Sequence, residues 1–374
     1  MRIPLISSAL LTLGVLLLSC GDRGVSPPPS QSSSSTTQAS SASIAKTPLD
    51  YTQARAMNAK LGRGINLGNC LDGTQEGTWG CTIEAAYMGI IKRAGFNHVR
   101  LPVRWSNKLD VDNNIDPAFM ARVKEVVTQA NDSGLLVVMD MHHFDELTGR
   151  DNKDYIPMES QIPLFPIMWG QIATQFAGFS NDSLVFELLN EPAERVTAEI
   201  HNSLLAAAIP VIRTTNPGRT LVAGLTSLGK WPAVKDLVLP ATENNIIVTV
   251  HYYDPYTFTH QGYPDTGNPT GVAWGTANEQ KGLADYFENM ALQINGYFPS
   301  LDGKGVPLYI GEFGVLNEAD MTSRANWIDA VARNSELNEF SWAYWEFNQG
   351  FGAYDPYGKA WYPQMLNALI PPAP

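Results

Sequence analysis

Short apolar runs alternate with amphipathic stretches from residue 62 to residue 347, and this alternation limits what the chain can fold into. The runs are GRGINLGN (62–69), HVRLPVRW (98–105), LLVVMDMHH (135–143), SLVFELLNEP (183–192), TLVAGL (220–225), IIVTVHYYDP (246–255), PLYIGEFG (307–314) and EFSWAYWEF (339–347). Each reads as a buried strand, and the segments between them read as helices. In 117–133, for example, Phe119, Val123, Val126, Val127 and Ala130 fall on one helical face. Strands alternating with helices eight times over predict an α/β fold of the (β/α)8 TIM barrel type. A doubly wound open sheet is the competing architecture, but no Gly-x-Gly-x-x-Gly follows the first strand.

A barrel carries its active site at the C-terminal ends of its strands. The polar residues of this chain collect there. Asn69 ends the first run, Arg100 and Arg104 sit on the second, and His142 and His143 end the third. Asn190 and Glu191 end the fourth, His251 and Tyr253 the sixth and Glu312 the seventh, while Trp345 lies near the end of the eighth. An unpaired carboxylate at the end of a buried strand is costly to desolvate, so Glu191 and Glu312 are either satisfied by partners or kept for chemistry. A structural ion pair would account for one of them but not for the whole ring.

Two carboxylates facing each other across a barrel mouth suit glycoside hydrolysis. Glu191 is then the general acid and later the base, and Glu312 the nucleophile. Arg100 is placed to pair with Glu312, and Tyr253 to donate a hydrogen bond to it. His251 is placed to set the protonation of Glu191, and Asn190 to bond a sugar hydroxyl. Adjacent His142 and His143, near Asp140, Asp145 and Glu146, also raise a metal site. Alternation along a strand argues against it, because successive side chains point to opposite faces. No metal and no cofactor is expected. Most of the nine Trp residues read as core, with Trp345 as a sugar-stacking floor and Trp79, Trp105 and Trp231 as weaker cleft candidates.

GRGINLGN, HVRLPVRW, HHF, LLNEP, HYYDP, IGEFG and YWEFNQGFGAYD, in this order, resemble glycoside hydrolase family 5, the retaining cellulase-like enzymes. The resemblance covers residues 50–374. It implies a (β/α)8 barrel and places the family's functional positions on Arg100, His142, Asn190, Glu191, His251, Tyr253, Glu312 and Trp345. Glu191 becomes the acid/base and Glu312 the nucleophile, in agreement with the residue-level reading. Within the family the chain is most similar to bacterial endo-β-1,4-glucanases, some of which also cut mannan. The substrate implied is a β-1,4-linked polysaccharide, with β-glucan first and mannan or xyloglucan as alternatives. Asn69, His143, His260 and Trp345 are the implied substrate contacts, with Tyr263 or Trp274 as a further platform. An inactive glycan-binding surface lipoprotein is the alternative from another class, and the intact pair Glu191 and Glu312 argues against it.

The first 49 of the 374 residues have a different character. Residues 1–20 carry Arg2, an apolar run from Leu5 to Leu18 and Ser19-Cys20, the plan of an export signal. Leu17-Leu18-Ser19-Cys20 resembles a bacterial lipobox, which implies lipidation at Cys20 and a lipoprotein on the bacterial outer membrane or cell surface; an ordinary cleaved signal would leave the protein extracellular. Residues 21–49, rich in Ser, Pro and Thr, read as a flexible linker, leaving 50–374 as the catalytic domain. The formal net charge of −12 excludes nucleic acid as a partner, and contact with a membrane is expected only through the N-terminal lipid. A monomer is expected. Cys70 and Cys81 either form a disulfide, as an oxidising compartment allows, or remain two buried thiols.

Overall fold

The structure, a computed structural model, describes residues 46–150, 153, 155–263 and 267–372. Cys20, the export segment and linker residues 21–45 lie outside the described residues. Lys46–Leu49, which composition assigns to the linker, belong to the folded body: Leu49 exchanges backbone hydrogen bonds with Pro299 and Leu301, both 3.0 Å, and Lys46 Nζ donates to the Tyr297 carbonyl.

Eight parallel strands close into a barrel in sequence order: β1 (Arg63–Asn66), β2 (His98–Val103), β3 (Leu136–Met141), β4 (Leu184–Glu187), β5 (Leu221–Ala223), β6 (Ile246–Tyr252), β7 (Leu308–Phe313) and β8 (Ser341–Tyr344). β1 pairs with both β2 and β8, which removes the free edges of the sheet. Helices such as Ala85–Ala94, Leu164–Phe176, Ala198–Thr215, Ala277–Tyr297 and Met321–Leu337 return the chain over the outside. The crossover from β5 to β6 departs from the pattern, being built from short turns, including the 3-10 turn Trp231–Asp236.

Two apolar layers hold this arrangement. Helix Thr52–Leu61 plugs the N-terminal end, where Ala54, Met57 and Leu61 meet Val138, Val185, Val222, Ile247, Tyr309 and Ala343 from the strands. Burying a side chain such as Leu61 stabilises the fold by roughly 1.5–3 kcal/mol. The larger layer lies between strands and outer helices. Helix Pro117–Asp132 shows the local logic: Asp116 caps it by accepting from the N–H of Ala118 and Phe119, and proline occupies the first turn, where its missing N–H costs nothing. Its buried face is Met120, Val123, Val126, Val127 and Ala130. Phe119, which the sequence places on that face, sits half-buried at its margin against Trp105.

The strand ends carry the irregularities that aim side chains. Between β6 and β7 the register shifts at Val250/His251, so that His251 comes to lie beside Glu312. β3 ends at Met141, so His142 and His143 both follow the strand rather than alternate along it. Cys70 and Cys81 are bonded, Cα to Cα 4.7 Å, and close the loop after β1. Trp105 and Trp231 are buried in the core and not in the cleft, and Trp274 is buried as well, which removes it as a platform. Among the described residues no helix is long and apolar enough to cross a membrane.

Candidate active site

Arg100 is the foundation of the barrel mouth. It projects from β2, fully buried, and a guanidinium there must be paired or it costs several kcal/mol. Five residues answer it. Glu187 takes Nε and Nη2, both at 2.8 Å, Asp140 accepts from Nη2 at 2.5 Å and Glu312 from Nη1 at 2.7 Å. The carbonyl oxygens of Asn66 and Asn190 take the remaining directions at 3.0 and 2.8 Å. One cation does not balance three carboxylates. Burial pushes Asp140 up to about 7 and raises Glu187 as well, in both cases against the pull of Arg100.

His142 joins this network through Asp140 and Asn190. Burial holds it well below its ordinary range, so the ring is neutral. Asn190 Nδ2 donates toward Nε2 at 3.4 Å, and this network assigns the proton to Nδ1, which faces Asp140 Oδ2 at 3.0 Å. Asn190 is thereby fixed by two neighbours, Arg100 and His142, beside the carboxylates of Glu191 and Glu312.

Above this floor stand the two glutamates. Their nearest oxygens, with a ring nitrogen of His251, lie within 4.8 Å of one another. Glu312 accepts from Arg100 and, at 2.9 Å, from the Tyr253 hydroxyl. Glu191 faces His251 Nδ1 at 3.0 Å through Oε1, and Arg150 Nη1 at 3.8 Å through Oε2. Burial pushes Glu191 up, but the hydrogen bond and charge of His251, then the charges of Arg150 and Arg100, outweigh it and hold the carboxyl below its usual range. His251 moves the opposite way: burial lowers it, yet the charge of Glu312 and its contacts with Glu191 raise it. Their contact therefore favours the proton on His251 and the charge on Glu191.

The cleft enclosing them has a volume of about 610 Å³. Asn69, His142, His143, Asn190, Glu191, His251, Tyr253, His260, Tyr263, Glu312 and Trp345 all reach it and Arg100 lies directly beneath, whereas the candidates Trp105, Trp231 and Trp274 do not line it. Trp345 lies parallel to His142, ring centres 5.7 Å apart, and needs Gly68 opposite, where a Cβ would sit 2.6 Å from its ring. His260 stacks on Tyr256 at 3.9 Å. Trp79, a weaker candidate from sequence, reaches the cleft edge-on to His143. Asn69, His143 and Glu191 adopt positive φ of 63°, 51° and 41°. Such conformations cost about 1–3 kcal/mol each and persist where surrounding structure imposes them, as at functional sites.

Sequence reasoning missed Glu187, Arg150, Leu228, Lys230, Gln349 and Phe351. Glu187 had a signal, a carboxylate inside an otherwise apolar run; the others sit in loops without periodicity. Both histidines follow β3, so strand alternation does not turn them to opposite faces and does not exclude a shared metal. Among the described residues Asp72, His142 and His143 form one compact group of potential ligands, and Glu191, His251 and Glu312 another. In the first, Asp140 and Asn190 occupy the nitrogens of His142, and the N–H groups of Asn69 and Cys70 occupy Asp72. In the second, His251 bridges the carboxylates. Hydrogen bonding accounts for both.

Comparison with known proteins gives concordant findings. A family model described as cellulase (glycosyl hydrolase family 5) matches residues 59–350. Endoglucanase H of Acetivibrio thermocellus is 31% identical over 358 residues, covering 93% of this chain but 36% of its own length. The chain thus spans about a third of that relative. Endoglucanase B of Ruminococcus albus is 28% identical over 365 residues, covering 88% of this chain and 83% of its own. Among solved structures, endoglucanase Cel5A of Thermotoga maritima matches with a TM-score of 0.78 and 40% identity, covering 85% of this chain and 100% of that one. The Thermotoga protein is also described in complex with cellobiose and with mannotriose.

Proposed function

The chain belongs to glycosyl hydrolase family 5, and on that premise we propose that it is a retaining endo-β-1,4-glucanase that cuts internal bonds of β-glucans by double displacement. One observation carries the mechanism: carboxylate oxygens of Glu191 and Glu312 within 4.8 Å of each other. Retaining enzymes place their carboxyl groups about 5–5.5 Å apart, whereas inverting enzymes need about 6.5–9.5 Å to admit a water.

In the first step a Glu312 oxygen attacks the anomeric carbon, and the bond to the leaving oxygen breaks as Glu191, which in the reactive form has taken a proton from His251 Nδ1, delivers it to that oxygen. Arg100 and Tyr253 hold Glu312 in place for the attack. In the second step Glu191, now anionic, takes a proton from water, the resulting oxygen attacks the same carbon, and the bond to Glu312 breaks. The charge of Glu312 and the contacts with Glu191 raise His251 above its usual range, which favours a proton beside Glu191. Trp345 offers an aromatic face to the sugar ring, with Asn190, Asn69, His143, His260 and Tyr263 around it. The function reading requires neither metal nor cofactor.

The cellobiose complex of the Thermotoga relative supports a glucan substrate, and its mannotriose complex favours mannan as a second one. The sequence of residues 1–20 supports export with lipidation at Cys20, and so an enzyme tethered to the bacterial surface.

Two nearly isosteric variants test the roles. Glu191→Gln removes the proton donor and Glu312→Gln the nucleophile, and each should lose at least about a hundredfold in kcat on soluble β-glucan. On an activated aryl β-cellobioside, whose leaving group needs little protonation, Glu191→Gln should release one burst of phenol and then stall, while Glu312→Gln should show no burst. Wild-type rates in both variants would refute the assignment. A panel of soluble β-glucan, mannan, xyloglucan and xylan fixes the preferred substrate.

A further inference from the structure

A second cation reaches the catalytic pair from the loop after β3. The short helix Asp145–Thr148 ends at Gly149, with φ of 88°, where a Cβ would lie 2.7 Å from Arg195 Nε. The sharp turn this permits brings Arg150 to Glu191, Nη1 to Oε2 3.8 Å, its one ion pair among the described residues. The loop is clamped from two sides. Arg104, just beyond β2, holds Asp145 at 2.7 Å. Arg195, four residues after Glu191, donates to the carbonyls of Glu146 at 3.0 Å, Leu147 at 3.3 Å and Ile156 at 2.9 Å. The segment that carries Arg150 is thus fastened to the segment that carries Glu191.

The groups facing Glu191 sort by charge. Burial pushes His143 down to about 2 and His260 down to about 4, so both are neutral. Burial raises Tyr253 and Tyr256, so both keep their protons. Among the described residues Glu312 is the carboxylate that shares His251 with Glu191. The cations acting on the Glu191 carboxyl are His251, Arg150 and Arg100, while Lys230 stands on the cleft wall. Arg100 is engaged by Asp140, Glu187 and Glu312, and His251 is shared between the two glutamates. Arg150 is the guanidinium left to act on Glu191 itself.

We propose that Arg150 is a positioning residue for the acid/base: carried on a loop fastened by Arg104 and Arg195, its guanidinium biases Glu191 toward the ionised form and sets the alkaline edge of activity. The inference rests on Glu191 being the acid/base. When Glu191 gives its proton to the leaving oxygen, Arg150 stabilises the anion left behind, which makes Glu191 a stronger acid in the first step and a weaker base in the second. The alkaline limb of kcat/KM marks loss of the protonated acid in the free enzyme. Removing a nearby positive charge makes a carboxyl harder to ionise, so the limb must move up.

The test compares the full chain with Arg150→Gln and Arg150→Lys, using kcat/KM on a soluble aryl β-cellobioside against pH. The alkaline limb should rise by about half to one pH unit in Arg150→Gln, as expected for one partly exposed charge at this distance, and should return toward wild type in Arg150→Lys. The acid limb should stay in place. A residue that only braces the loop would lower kcat/KM without moving the limb. Carbon-13 titration of the Glu191 carboxyl, assigned by its loss in Glu191→Gln, should show the same upward displacement. An unmoved limb together with an unmoved titration overturns the inference. Should the wild-type protein hydrolyse no glycoside, the enzymatic reading fails, and the titration still decides whether Arg150 governs the charge on Glu191.

Discussion

Glu346 follows Trp345 directly, and its side chain is fully buried. Its oxygens accept the N–H groups of Gln349 at 2.8 Å, Asn348 at 3.1 Å and Phe351 at 3.3 Å, so one carboxyl shapes the loop that brings Gln349 and Phe351 to the cleft wall. Burial outweighs those three donors and pushes its pKa up to about 8. A carboxyl whose folded pKa exceeds its unfolded value of about 4.3 stabilises the fold fully below the unfolded value, and that contribution is lost as pH rises to about 8. Glu346→Gln removes this dependence. Thermal melts of both proteins should give similar midpoints near pH 5 after allowing for a constant offset, with the variant gaining several degrees on wild type by pH 8. A pH-independent difference would show that Glu346 stays ionised in the fold. Residues of this kind explain what sequence conceals. Glu191 and Glu312 were legible because a carboxylate ending an apolar run conflicts with burial unless chemistry or a partner requires it. Glu346 lies in an aromatic run whose turn is set by hydrogen bonds to its own following residues, and Arg150 lies in a loop with no pattern at all.

The loops, more than the strands, place the site, and Gly68 shows how closely two of them approach. It lies in the turn after β1, and an added Cβ would meet the Trp345 ring at 2.6, 2.8 and 2.9 Å. The turn is held below by Asp72, which accepts from the N–H of Asn69 and Cys70, and by the Cys70–Cys81 disulfide. The indole is therefore the partner that must yield. Gly68→Ala should displace it and lower kcat/KM on β-glucan about tenfold or more, mainly through KM, while urea unfolding changes far less than the few kcal/mol of a cavity mutant. If activity holds and stability falls, Trp345 is a core residue and not a sugar platform. The strands themselves were legible because apolar runs of strand length in a (β/α)8 order leave few alternatives. Their ends were less so: alternation predicts opposite faces for His142 and His143 only while the strand lasts, and β3 stops one residue earlier. Trp105 and Trp231 misled for a related reason, since an indole suits a core and a cleft equally and only tertiary structure decides.

At the scale of the molecule, the barrel has one end closed and one end working. Helix Thr52–Leu61 fills the N-terminal end, and Lys46 and Leu49 join the body beside residues 297–301. The cleft lies at the opposite end, where every strand terminates in its loop. The walls of that cleft come from loops far apart around the ring: Trp79 follows β1 and Tyr263 follows β6, and each keeps 42% of its surface exposed. Strands so separated in a closed eight-membered order can place their loops on different sides of the mouth, giving a groove across the barrel rather than a pit that accepts one chain end. A groove admits the middle of a polysaccharide, and one cut near the middle halves chain length while creating a single reducing end. With a soluble β-1,4-glucan, specific viscosity should therefore fall by half when only a few per cent of the eventual reducing ends have appeared. Products at that stage should be long, with short oligosaccharides accumulating later. Early release of disaccharide at nearly constant viscosity would mean that chain ends enter the cleft, and the endo-acting assignment would be wrong even if Glu191 and Glu312 perform the chemistry proposed for them.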